Sequence, residues 1–135
     1  MKFRPHLPSD CPPDDAIPTS GVVYRLAVDK NFGEKEFLSF REINPDRDLE
    51  GISECVMCGI SVYTDIEAVK KMLSRVPAKR RKHKKFNFAF KAHLTPKMGK
   101  MKNTPSNFHK SHHTWWFPYG EKPWEIFKLV DLSKD

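Results

Sequence analysis

The stretch Gly59-Ile60-Ser61-Val62-Tyr63-Thr64-Asp65-Ile66-Glu67-Ala68-Val69-Lys70-Lys71-Met72-Leu73-Ser74-Arg75-Val76-Pro77 decides the fold class, because it passes from strand to helix within one run. Gly59 breaks the pattern before it, and residues 60–63 read as a short strand. Thr64 is a good N-cap, and Glu67 three residues on completes a capping-box signature. Ile66, Val69, Met72, Leu73 and Val76 then fall on one face at helical spacing, until Pro77 stops the run. The spacing predicts one prominent helix over residues 65–75.

Outward from this unit the pattern is mostly strand. Towards the N-terminus, Val22, Tyr24, Leu26 and Val28 alternate with Val23, Arg25 and Ala27, which predicts a strand over 21–29. Asn31 to Gly33 is a turn signal, residues 36–40 read as a short or edge strand, and residues 44–48 are a loop around Pro45. Residues 51–58 are ambiguous, with Ile52, Cys55 and Val56 spaced as on one helical turn. Residues 1–20, rich in Pro and Asp and without a period, should form an irregular arm.

Towards the C-terminus, residues 79–85 are an unbroken basic run. Phe86, Phe88, Phe90 and Ala92 follow, alternating with Asn87, Ala89, Lys91 and His93, as in a strand with an aromatic inner face. Residues 95–112 read as a long loop, 114–117 as a strand, 118–123 as a turn and 125–131 as a closing strand. The class is therefore α+β: a small antiparallel or split β-sheet, one prominent helix and long loops. The 135 residues, 39% apolar with ten Phe and three Trp, suffice for a single core. A single domain is expected over 21–135, behind the arm 1–20.

No run approaches the roughly 18 apolar residues of a membrane span, and residues 1–13 contain no apolar signal core. A cytoplasmic protein with no membrane partner is expected. Three cysteines, Cys11, Cys55 and Cys58, argue against a disulfide framework in such a chain. Charge is divided sharply. Residues 1–70 hold 8 Lys/Arg and 13 Asp/Glu, whereas residues 71–135 hold 16 and 4, a net of +12. Such asymmetry points to an anionic partner, a nucleotide or a nucleic acid.

Several groups could carry chemistry. His109-Lys110-Ser111-His112-His113-Thr114-Trp115-Trp116 gathers three imidazoles and two indoles. Imidazoles serve as acid, base or phosphate donor, and an indole stacks on a base or nicotinamide ring. If the segment is a strand, the two Trp face opposite ways, and at least one belongs to the core. Lys79, Arg80, Arg81, Lys82, Lys84 and Lys85 are candidate nucleic-acid contacts, since dense Lys/Arg binds phosphates through counterion release. No resident metal is expected. The one alternative set, Cys55 and Cys58 with His109 and His112, begins like half a zinc site but departs from finger spacing. Arg25, Ser61, Thr64, Tyr63 and Glu125 are scattered polar positions, and a buried Arg25 would need a carboxylate or phosphate partner.

These positions occur in an order that resembles the ADP-ribosyltransferase-like domains, which include small bacterial toxins and NAD-using RNA 2′-phosphotransferases. The matching motifs are Val22-Val23-Tyr24-Arg25 in the early strand, Gly59-Ile60-Ser61-Val62-Tyr63-Thr64 running into a helix, and Trp124-Glu125-Ile126-Phe127. More narrowly, the chain resembles a family of short bacterial proteins that share the VYR, FLSF, CGISVYTD and HHTWW segments and to which no activity attaches. The first resemblance implies NAD as cofactor. Arg25 would grip its pyrophosphate or ribose, with Tyr63 or a Trp on nicotinamide. Glu125 would steady the oxocarbenium-like centre, and Ser61, Thr64, His112, His113 and Trp115 would line the cofactor site. It also implies a toxin or phage-conflict effector acting on a nucleic-acid or nucleotide acceptor. Two other readings are a non-catalytic nucleic-acid-binding module and an inhibitor or immunity protein that binds a partner enzyme through exposed Trp.

Overall fold

The structure, a computed structural model, describes residues 1–28, 30–74, 87–106 and 109–131. The basic run 79–85, the predicted helix end at 75–77 and Phe86 lie outside the described residues. Among the described residues seven strands form one antiparallel sheet: β1 (Ile17–Pro18), β2 (Gly21–Ala27), β3 (Ile60–Tyr63), β4 (Phe88–Leu94), β5 (Lys100–Asn103), β6 (His112–Trp116) and β7 (Lys128–Leu129). Their spatial order is β1-β5-β6-β3-β2-β4-β7. Among the described residues three α-helices accompany them: α1 (Phe40–Ile43), α2 (Glu54–Met57) and α3 (Ile66–Ser74). The fold is a small α+β fold, as the strand-rich pattern with one long helical run requires. Among the described residues no helix is long and apolar enough to cross a membrane.

Alternation along the strands builds a core on each face of the sheet. Val23, Ala27, Ile60, Val62, Phe90, Ala92, Met101 and Trp115 share one face with Phe37, Phe117 and Phe127. Leu26 and Ala89 point the other way, under Val69 of α3, with Tyr24, Tyr63 and Ile66 at the margin. The apolar stripe of α3 is thus the cover of the second face. Asp65 caps this helix, not Thr64: its Oδ1 accepts from the Glu67 N–H at 3.0 Å. The acidic side chain sits one residue nearer the first turn and reaches the second amide of the helix.

The sequence expectations fail where local chemistry outbids alternation. Residues 36–40 are not a strand: a 3-10 turn (Glu34–Phe37) drops Phe37 into the core, and α1 follows at once. Ser39 and Glu42 set this through a true capping box, each side chain bonding the other's backbone N–H. The expected loop 95–112 contains β5, which β6 pairs from Lys100↔Trp116 to Asn103↔His113. Gly99 allows the turn into β5. Its φ of 117° is strained for other residues, and a Cβ there would strike the Trp116 carbonyl. The closing strand 125–131 shrinks to the two residues of β7, because Pro123 starts a 3-10 turn (Pro123–Glu125).

The cysteine expectation is also corrected. Cys11 and Cys55 form a disulfide that ties the N-terminal arm to α2 across a sequence separation of 44. The arm is irregular but not loose, since β1 pairs with β5 and Arg4 bonds Glu42 at 2.6 Å. Arg41 completes the clamp around α2, bonding Glu54 at 2.8 Å, Asp48 at 2.6 Å and three main-chain carbonyls between residues 44 and 47.

Candidate functional site

The sheet has a seam between β2 and β3. β2 and β4 pair along seven residues, but β2 and β3 pair only at Tyr24↔Tyr63. Beyond that point the strands part, and a cleft of about 240 Å³ opens between them. Arg25, Ser39, Gly59, Ile60 and Ser61 line it together with Leu38, Phe40, Leu49, Ile52, Val56 and Met57. The walls are therefore apolar, from α1, α2 and the loop between them, while the polar groups gather at the sheet.

Arg25 sits where the ladder fails. Its Nη1 donates to the Ser61 carbonyl at 2.6 Å and its Nε to the Glu36 carbonyl at 2.7 Å, while the guanidinium lies over the Phe37 ring at 5.5 Å. The side chain replaces a main-chain bond that β2 no longer supplies to β3. Burial pulls its pKa down to about 10, against the charges of Glu36 and Tyr63, so it stays cationic near neutral pH. The partners are thus two main-chain carbonyls, where a carboxylate or phosphate was expected. Tyr63 is half-buried. Desolvation raises its phenol and the nearby Arg25 charge draws it back.

Register brings β6 alongside β3, next to the Ser61 side chain. Tyr63 is opposite His112 and Ser61 opposite Thr114, so all four share the face that α3 covers farther along. His112 Nε2 lies 2.9 Å from Ser61 Oγ, and its Nδ1 lies 2.8 Å from the Thr104 carbonyl. A carbonyl only accepts, so Nδ1 carries the proton and Nε2 presents its lone pair to the serine hydroxyl. Thr104 hydroxyl adds a contact to Nδ1 at 2.9 Å and one to the Thr114 hydroxyl at 2.8 Å. Burial holds the His112 pKa below the ordinary 6.5; the Thr104 carbonyl opposes this, and the charges of His113 and His109 add to it. The Tyr63 ring meets His112 and His109 edge-on, at 5.4 and 6.0 Å between centroids.

Of the expected site residues, Arg25 and Ser61 line the cleft together, and Tyr63 and His112 gather around the Ser61 side chain on the α3 face. The others do not. Trp115 is 1% exposed within the first core and donates its Nε1 to the Met98 carbonyl at 2.8 Å, so it cannot stack on a ligand. Trp116 is 2% exposed and donates to the Cys55 carbonyl at 2.9 Å. The two indoles do face opposite ways, and both are buried, which removes them as exposed anchors for a partner enzyme. His113 turns away from Ser61 and bonds the Ser111 carbonyl at 2.8 Å. Thr64 is exposed, its N–H held by the Ser111 carbonyl at 3.3 Å. Glu125 ends the 3-10 turn and is exposed. Lys79, Arg80, Arg81, Lys82, Lys84 and Lys85 lie outside the described residues.

The alternative metal set is not assembled. Cys55 is spent in the disulfide. Cys58 is buried beside Glu54 Oε2 at 3.4 Å, and desolvation lifts its thiol to about 11, far from a ready thiolate ligand. His109 and His112 stand with Tyr63 on the α3 side. Sequence reading missed Thr104 and the cleft walls. Thr104 reaches His112 only because β5 and β6 are paired, and no local pattern announces that pairing. No family model, curated protein or solved structure matches this chain.

Proposed function

We propose that this protein binds a nucleotide of the NAD type in the cleft between β2 and β3 and cleaves or transfers at its ribosyl bond, in the manner of an ADP-ribosyltransferase-like enzyme. The single observation that carries this reading is the meeting of Arg25 and Ser61 in the cleft that opens where the sheet parts, next to the Tyr24↔Tyr63 pair. A cationic guanidinium in a cleft with apolar walls favours a ligand with a planar ring and a negative charge. Arg25 supplies the fixed charge for the pyrophosphate or ribose. Tyr63 flanks the ring, and Ser61 and His112 offer hydroxyl and imidazole groups to the ribose.

Glu125 takes no part in this scheme. The carboxylate whose charge acts on Arg25 is Glu36, half-buried in the 3-10 turn beside the cleft. Glu36 is therefore assigned the role of opposing the positive charge that grows on the ribose as nicotinamide departs. Incubating the protein with NAD and following free nicotinamide tests the proposal. Release that disappears in Arg25→Ala supports it; no release and no thermal stabilisation by NAD would remove it.

A second reading rests on the net +12 of residues 71–135. That charge suits a polyanion, the acceptor or the sole ligand, held across the basic half. Binding of single- or double-stranded nucleic acid that weakens steeply with added salt would support it.

A further inference from the structure

Ser61 and His112 have the arrangement of an activated nucleophile, and this stands apart from the nucleotide reading. Three distances define it: Thr104 carbonyl to His112 Nδ1 at 2.8 Å, His112 Nε2 to Ser61 Oγ at 2.9 Å, and Ser61 carbonyl to Arg25 Nη1 at 2.6 Å. The first bond fixes the tautomer, the second places a basic lone pair on the hydroxyl proton, and the third sets a cation beside the reacting residue. Ser61 is exposed, so an incoming group can reach its oxygen. Residue 61 also lines the cleft whose other walls are Leu38, Phe40, Leu49, Ile52, Val56 and Met57.

We propose that Ser61 is a catalytic nucleophile, with His112 as its general base and Thr104 as the residue that positions the base. The substrate class is a carboxylic ester whose acyl part is small and apolar. The acyl group fills the apolar cleft, and the alcohol part extends towards solvent.

The chemistry balances without a cofactor. Ser61 Oγ attacks the carbonyl carbon while its proton passes to His112 Nε2. The electron pair of the C=O bond moves to the oxygen. Collapse of that intermediate breaks the ester C–O bond, and the departing alcohol takes the proton from His112. Water then attacks the acyl-serine by the same route and releases the acid. The oxyanion forms beside the Arg25 guanidinium. In an antiparallel strand a residue's N–H and C=O leave on the same edge, so the Ser61 N–H also points to the Arg25 side and serves as a donor there.

Two facts favour a built pair over a chance surface contact. Desolvation keeps His112 neutral near pH 7, the form that accepts a proton. Gly59 leaves the space in which Thr114 and Trp116 pack, since a Cβ there would collide with the Thr114 methyl and meet the Trp116 indole nitrogen at 3.0 Å. That packing holds β6, and with it His112, against β3.

A fluorophosphonate probe tests the inference, with the labelled residue located by peptide mass spectrometry and a p-nitrophenyl ester as second substrate. The expected result is labelling at Ser61, its loss in Ser61→Ala, and a fall on the order of 100-fold in labelling and ester turnover in His112→Asn. An unlabelled Ser61 in folded wild-type protein, or a His112→Asn variant labelled at the wild-type rate, would overturn the proposal. Labelling at Ser61 in wild-type protein that shows no thermal stabilisation by NAD would keep this inference while removing the nucleotide reading, and NAD binding by protein whose Ser61 stays unlabelled would do the reverse.

Discussion

Arg25 donates its Nη1 proton to the main-chain carbonyl of Ser61 at 2.6 Å, across the point where β2 and β3 cease to pair. One side chain therefore both holds the seam of the sheet closed at its root and puts a positive charge at the floor of the cleft that the seam opens. Structure and candidate chemistry meet in that bond, and the first prediction separates them.

Arg25→Ala leaves the carbonyls of exposed Ser61 and half-buried Glu36 without their donor. A hydrogen bond to a charged group contributes about 1.5 to 3 kcal/mol, and partial exposure trims that figure, so a loss of about 2 kcal/mol is expected in urea unfolding. Arg25→Lys keeps the charge but cannot span both carbonyls with a planar fork. It should recover ligand attraction without recovering full stability. Equal stability of all three proteins would show that the seam does not depend on Arg25.

The Cys11–Cys55 disulfide closes a loop of 44 residues. On the chain-entropy account such a loop contributes about 4 kcal/mol. Cys11→Ser should lower the unfolding free energy by that order, and a reductant should bring the wild type down to the level of the variant. Reductant that leaves the midpoint of unfolding unchanged would contradict the pairing. Cys58→Ser should respond to reductant as the wild type does, because Cys58 lies outside the bridge.

His112 carries a pH signature. Its folded pKa lies below the ordinary 6.5, through burial and the neighbouring His113 and His109, despite the opposing pull of the Thr104 carbonyl. Tyr63 and Ser61 face it from β3. Below pH 6.5 the unfolded chain takes up a proton that the folded site resists. The stability from neutral His112 is thus complete above the unfolded pKa and fades as pH falls through the folded one. Unfolding curves from about pH 7.5 to about pH 5 should converge for wild type and His112→Asn. A gap that widens in acid would reverse the assignment.

The carboxylate assignment is checked by a pair of variants. Glu125→Gln should change stability by no more than about 0.5 kcal/mol, as for an isolated surface group, and should leave NAD turnover intact. Glu36→Gln should lower turnover by at least tenfold while the fold persists, since Glu36 bonds Arg25 through its main-chain carbonyl, which the variant keeps. Loss of turnover in Glu125→Gln alone would restore the sequence-based assignment.

Much of this fold is legible in the chain because local periodicity matches tertiary placement. The alternation around Val23 and Leu26, the run from Ile60 to Val69 and the alternation around Phe90 each name the faces they bury. Arg25, Ser61 and Tyr63 could be singled out from short motifs on adjacent strands. What escaped depends on partners distant in sequence. Nothing near Cys11 announces Cys55, and nothing near Thr104 announces His112. The Trp pair looked like a ligand platform because composition reports aromatic surface but not which side of a strand is covered. Here α2 and the arm cover Trp116 while the first core takes Trp115. Glu125 was drawn into a strand by the apolar residues after it, whereas Pro123 had already imposed a turn.

The most direct measurement is a titration of isotopically labelled protein with NAD, read residue by residue in amide spectra. Saturable shifts gathered at residues 25, 39 and 59–63, and absent in Arg25→Ala, are the predicted result. Silence at those residues under saturating NAD, or shifts gathered around Glu125 instead, would contradict a nucleotide site between β2 and β3.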